Sequence, residues 1–173
     1  MVRQPLGLLL LAFAVLMAGC ETTPPYVYRY IAGRTAFLED GLAVSPRDAP
    51  GVVRRAIEAG NELIGKPYRY GGGHQTFYDT GYDCSGTTSY VLHAIGHLET
   101  PTPSDYFRRY GESGPGRWIT VYAHNGHVFT VVAGLRLDTG YGYGASGPQW
   151  LTRSRPADGY VMRHPAGLCE VRG

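Results

Sequence analysis

Two hydrophobic spacings alternate along the chain, separated by clusters of Gly, Pro and Asp. Val52, Val53, Ala56, Ile57, Asn61 and Ile64 follow a helical stripe, and Arg54, Arg55, Glu58 and Glu62 lie largely off it. The breaker cluster Ser45 to Pro50 precedes this helix, with Asp48 as its expected cap, and Gly65-Lys66-Pro67 stops it. A loop rich in Gly and aromatics follows, from Tyr68 to His74, and runs on to Gly81-Tyr82-Asp83-Cys84-Ser85-Gly86. Ser85 to Gly96 is helix-compatible again, with Tyr90, Val91, Ala94 and Ile95 as the expected apolar face. Cys84 therefore falls at or just before a helix N-terminus.

Strand signals flank the two helices. Tyr26 to Ile31 alternates loosely and suggests an edge strand, and Thr35 to Val44 carries Asp40-Gly41 at its centre, a hairpin signal. Arg117 to Ala123 reads as a strand, Asn125-Gly126 as a turn, and His127 to Val132 as the returning strand. Ala133-Gly134 is a second tight turn before Leu135 to Asp138. If that turn has two residues, Phe129 faces Asp138, and both share a side of the sheet with His127. His127 and Asp138 are then diagonal neighbours, roughly 7–8 Å apart at the backbone and within side-chain reach. Arg136 lands on the same face and competes for the carboxylate. A bulge at Gly134 would instead send Asp138 to the opposite face.

The N-terminus has a different character. After a single cation, Arg3, residues 5–19 carry no charge and are mostly Leu, Ala, Val and Phe. That run is shorter than the roughly 20 residues needed to span a bilayer, and it fits a signal peptide. It ends in Leu16-Met17-Ala18-Gly19-Cys20, which resembles the bacterial lipoprotein box, with Met17 where Leu is commoner. The resemblance implies lipidation of Cys20 and anchoring to the outer face of a bacterial membrane, either outer membrane or cell membrane. The alternative is an ordinary secretory signal. Residues 1–19 are thus expected to be a signal peptide, 20–50 a tether and N-terminal extension, and 51–173 the folded domain.

Composition narrows the function. The chain has 173 residues, 16 basic and 14 acidic side chains and a net charge of +2, so no global field recruits nucleic acid. At 43% apolar and 17% charged it is a globular sequence, long enough to fold without disulfides. Three cysteines are too few for a disulfide scaffold, so each needs its own account. Twenty-five Gly, fourteen Tyr and a single lysine, Lys66, among the cations suit a groove for carboxylate-bearing ligands. GC-rich coding explains the same bias.

Cys84 carries the clearest chemistry. Unpaired N–H groups and the positive end of a helix favour a thiolate there, and the same N–H groups can face a developing oxyanion. His127 supplies a base, and Asp138 orients it. The other candidates are weaker. His93 and His97 are four apart, but they lack the Glu of a metalloprotease box and sit at a helix end, so no metal or cofactor is implied. His124 mirrors His127 across the turn, and His74 lies in the glycine loop. Cys169 has no assigned role; pairing with Cys84 would make both structural.

Tyr68-Arg69-Tyr70-Gly71-Gly72, then Asp83-Cys84-Ser85-Gly86 opening a helix, then Gly126-His127-Val128 on a strand, resemble the NlpC family of papain-like cell-wall cysteine peptidases. The likeness covers roughly residues 52–138 and, more loosely, a C-terminal strand over 159–164. It implies an α+β, papain-like fold, with N-terminal helices packed on an antiparallel sheet and the catalytic cysteine at a helix N-terminus. It implies hydrolysis of amide bonds in peptidoglycan stem peptides, with Cys84 as nucleophile, His127 as base and Asp138 as the third polar residue. Tyr68 matches a family tyrosine near the nucleophile. Tyr68, Ser85, Arg69 and His74 are the expected oxyanion or substrate contacts. This chain departs from the family in a longer loop before Cys84, in Thr87-Thr88 within the helix, and in the lack of Gly-Asp-Leu before the histidine strand. The expected partners are stem peptides and, through Cys20, a membrane; the protein is expected to be a monomer. Two other classes fit the sequence: a non-catalytic cell-wall-binding lipoprotein of the same fold, and a Cys-His amidase or acyltransferase acting on another substrate.

Overall fold

The computed structural model describes residues 22–140 and 146–168. The chain runs through strands β1 (Phe37–Glu39) and β2 (Leu42–Val44), helices α1 (Gly51–Glu62) and α2 (Cys84–Ala94), and a 3₁₀ turn at Tyr106–Arg109. Strands β3 (Glu112–Ser113), β4 (Ile119–His124), β5 (His127–Val132), β6 (Leu135–Asp138), β7 (Gln149–Leu151) and β8 (Val161–His164) follow. β1 and β2 form the hairpin expected around Asp40-Gly41. The other six strands make one antiparallel sheet in the order β3-β8-β4-β5-β6-β7. Helices gathered on an antiparallel sheet make an α+β fold, as the sequence predicts.

The turn between β5 and β6 fixes the register that matters most. Ala133 and Gly134 both have positive φ, 46° and 79°, the two-residue geometry whose twist suits a hairpin. Gly134 takes this conformation freely; Ala133 accepts a cost of about 1–2 kcal/mol. Thr130 then pairs with Leu137, Val131 with Arg136 and Val132 with Leu135. There is no bulge, and Asp138 stays on the His127 face.

Strand alternation divides the buried residues between two cores. Val121, Val128, Leu135, Leu137 and Trp150 point to the side where Val53 and Ile57 of α1 and Val91 and Leu92 of α2 pack. Tyr122 and Phe129 point the other way and join Tyr26, Ala157 and Tyr160 in a smaller cluster. The Tyr122 and Phe129 rings stack with centroids 4.7 Å apart. Both faces of the central strands are therefore covered, which accounts for the nearly unbroken burial of β4 and β5.

Three local expectations are corrected. Helix α1 begins after Pro50 with no side-chain cap; the Asp48 N–H instead donates to the Gly33 carbonyl at 3.0 Å. Tyr26 to Ile31 makes a single bridge, Tyr26 to Arg155, and no strand. Helix α2 has no simple apolar stripe: Ser85 to Ser89 are all buried, as are Val91 and Leu92, and Ala94 is exposed. Its first turn is wedged against the glycine loop, where a Cβ on Gly86 would lie 1.9 Å from the Gly72 carbonyl oxygen. On the sheet side, Thr130 Oγ1 donates to Thr88 Oγ1 at 3.2 Å. A helix buried on nearly every side loses the period-3.6 contrast.

Asn61 joins three elements. Its Oδ1 accepts from the Ala43 N–H at 2.9 Å and the Trp150 Nε1–H at 2.8 Å, and its Nδ2 donates to the Ala43 carbonyl at 3.0 Å. Asn61→Ala strands these partners and should destabilise the fold by about 2–3 kcal/mol in urea unfolding. Asn61→Asp keeps the acceptor but sets a carboxylate oxygen against the Ala43 carbonyl, so it should also destabilise; unchanged unfolding of either variant would make these bonds incidental to stability.

Candidate active site

Cys84 is the first residue of α2, and its neighbours build the platform around it. Asp83 caps the helix: its Oδ1 accepts from the Gly86 N–H at 2.8 Å and the Ser85 hydroxyl at 3.0 Å. Its Oδ2 accepts from the Gly71 N–H at 3.0 Å, fastening the glycine loop to the helix start. His74 Nε2 lies 3.1 Å from Asp83 Oδ1 and 2.9 Å from Ser85 Oγ, so His74 and Ser85 belong to this capping network. Cys84 is half-buried and, among the described residues, a free thiol.

His127 opens β5 and is almost fully buried, with 3% of its surface exposed. Its Nε2 sits 2.9 Å from Asp138 Oδ1, and the ring also hydrogen-bonds Cys84. With Nε2 engaged by the carboxylate, Nδ1 is the nitrogen left for the sulfur. Burial disfavours the charged imidazole, but the hydrogen bonds and charges of Asp138 and Cys84 outweigh it, pushing its pKa up to about 9.

Asp138 is buried and shared. Oδ1 also accepts from the Thr139 N–H at 2.9 Å. Oδ2 accepts from Arg155 Nη1 at 2.9 Å, and Arg136 Nη1 lies 3.7 Å away. Arg136 competes for the carboxylate, as the register predicts. Arg155 is not among the residues the sequence points to: it reaches the site from the loop after β7, held by two backbone hydrogen bonds to Tyr26. No spacing rule links positions 26, 138 and 155.

Tyr68 is half-buried beside the thiol. Burial raises its hydroxyl pKa, and proximity to Cys84 and Asp83 raises it further. Arg69 points outward and pairs with Asp79 at 3.0 Å. His93 stacks on Phe77 with centroids 3.7 Å apart and caps the Leu98 carbonyl, a structural role. His124 packs on Tyr160 at 4.3 Å. Among the described residues, no group of His, Cys, Asp and Glu is arranged to hold a metal. Cys20 and Cys169 lie outside the described residues.

Comparison with known proteins returned likenesses in three dimensions. A form of the Resuscitation Promoting Factor Interacting protein RipA mutated at a histidine aligns with a TM-score of 0.48 and 21% identity, over 80% of this chain and 71% of that one. A form mutated at a glutamate gives 0.47 and 23%, over 79% and 71%. Rv1477, a hypothetical invasion protein of Mycobacterium tuberculosis, gives 0.44 and 22%, over 80% and 73%. No family model and no curated protein matches the chain.

A histidine whose pKa is raised on folding stabilises the fold fully below its unfolded value near 6.5, and that contribution is lost as pH climbs through about 9. Asp138→Asn removes the carboxylate and should bring the His127 titration, followed by NMR of the ring carbons, back toward the ordinary range. The loss of stability between pH 6.5 and 9 should flatten in the same variant. An unmoved titration would remove Asp138 as the partner that sets the charge of His127.

Proposed function

We propose that the protein is a cysteine peptidase that hydrolyses amide bonds in peptidoglycan stem peptides. The observation that carries this reading is the hydrogen-bonded series Cys84–His127–Asp138, laid across the N-terminus of α2. The substrate class is supported by the resemblance of the motifs around Tyr68, Cys84 and His127 to the NlpC family. A lipid anchor on Cys20, facing the cell wall from a bacterial membrane, would bring the enzyme to that substrate.

The chemistry follows from the geometry. An imidazolium against the sulfur favours the thiolate, which attacks the amide carbonyl. The oxyanion is stabilised by the N–H groups at the start of α2 that the Asp83 cap does not take, and by the Tyr68 hydroxyl. His127 donates its proton to the departing amine, then takes one from water as that water attacks the thioester. Release of the carboxylic acid restores the thiolate. Asp138 holds the ring in one orientation throughout and stabilises its charged form.

Digestion of purified peptidoglycan and synthetic stem peptides, read by mass spectrometry, tests the proposal. Wild type should create new peptide ends, Cys84→Ala should create none, and Asp138→Asn should lose about 10²- to 10⁴-fold in kcat. An absence of new ends on several wall chemistries would sink the hydrolase reading. Iodoacetamide near neutral pH should label Cys84 faster than Cys169, and His127→Ala should slow that labelling. Equal, sluggish labelling of both thiols counts against an activated thiolate.

A further inference from the structure

Beside the His127–Asp138 pair, on the face of the sheet away from the helices, lies an open cavity of about 450 Å³. Arg136, Arg153 and Arg155 line it together with His124 and Tyr160, and Asp158 stands among them as an exposed carboxylate. The cavity holds an excess of positive charge. Asp138 is the buried anion there, and its oxygens are already divided among His127, Arg155 and, at 3.7 Å, Arg136.

Arg136 is the most deeply buried of the three arginines. It is 98% buried, and its Nε has no hydrogen-bond partner among the described residues. Its guanidinium lies over the Tyr26 ring at 5.3 Å and the Phe129 ring at 5.7 Å, so aromatic faces supply much of its surroundings. Burial pushes its pKa down, Asp138 opposes that, and Arg155 and Arg153 push it down further. A buried cation with so little opposing charge is costly unless an anion comes to it. Arg155 is held from behind by its bonds to Asp138 and to the Tyr160 hydroxyl at 3.0 Å. Arg153 is exposed at the rim.

We propose that this cavity is an oxyanion-binding subsite that takes a carboxylate of the substrate, with Arg153 as the residue that grips it and Arg136 and Arg155 as the fixed positive floor. Planar guanidinium groups match a carboxylate by paired hydrogen bonds. The substrate part of the inference rests on the peptidase reading above; the anion site does not. A carboxylate bound here, beside the His127–Asp138 pair, would set which substrate enters.

The test uses the mature protein, with the arginine side-chain N–H resonances followed by NMR at constant ionic strength. N-acetyl-D-glutamate, inorganic phosphate and chloride are the probes. Saturable shifts with the carboxylate, at least tenfold weaker with phosphate and absent with chloride, are the expected result. Arg153→Ala should weaken the carboxylate at least tenfold, and Arg153→Lys should restore part of it. Shifts that follow ionic strength alone, tighter binding of phosphate, or an unaffected Arg153→Ala would each overturn the proposal. A kinetic arm separates it from the peptidase reading. Amidating the substrate carboxylate should raise KM at least fivefold in wild type and leave Arg153→Ala unmoved. Anion binding without any cleavage would leave the subsite standing and remove the peptidase; cleavage indifferent to amidation and without anion shifts would do the reverse.

Discussion

One buried carboxylate organises the site and much of the fold around it. Asp138 sits at the end of β6, where the two-residue turn at Ala133-Gly134 sets the pairing with β5. A slip of one residue would turn Asp138 into the helix-side core. His127 and Arg155 would then be left buried without their anion, and Arg136, on the same face of β6, would be carried with Asp138 into the apolar core, which costs several kcal/mol for each uncompensated charge. The register is thus specified twice, by the hydrophobic alternation of Val128, Val132, Leu135 and Leu137 and by this electrostatic requirement. Agreement between the two is what allows a strained Ala133 to persist.

The two faces of the sheet divide the work. The helix side holds the larger apolar core, and the opposite side holds the charges, screened by Tyr26, Tyr122, Phe129 and Tyr160. Those rings do more than exclude water: Arg155 lies over Phe129 at 5.1 Å and over Tyr160 at 5.9 Å, which keeps its fork aimed at Asp138. Tyr26 pairs with Arg155 through the backbone and covers Arg136 with its ring. The segment before α1 is therefore part of the machinery around Asp138.

The sequence makes legible whatever depends on nearest neighbours in the chain. The α1 stripe, the hairpin at Asp40-Gly41, the β4–β5–β6 meander and the start of α2 at Cys84 all follow from local spacing or turn chemistry. So does the meeting of His127 with Asp138, because a two-residue turn leaves little freedom. Contacts between distant segments are not legible in this way. Arg155 reaches Asp138 only because Tyr26 holds its backbone, and nothing at positions 153–156 announces that. The small polar residues of α2 mislead for a related reason: Thr87, Thr88 and Ser89 are buried by close approach to a loop and a strand, which a hydrophobicity pattern cannot register. Tyr26 to Ile31 reads as a strand by alternation, yet it makes a single bridge, and the Tyr26 ring covers Arg136.

The four residues Asp83-Cys84-Ser85-Gly86 can now be separated into parts. Asp83 caps the helix and fastens the glycine loop through the Gly71 N–H. Ser85 turns its hydroxyl inward to Asp83 and His74. Gly86 is small because the Gly72 carbonyl occupies the place of a side chain. Three of the four are structural, and their joint effect is to hold the first turn of α2 against the loop while Cys84 alone keeps access to solvent. A thiol at a helix start needs this support: without the cap the N-terminal N–H groups fray. A substitution at Asp83 or Gly86 would therefore reach the thiol by first releasing the loop, whereas one at Cys84 would leave the loop in place and remove the thiol alone.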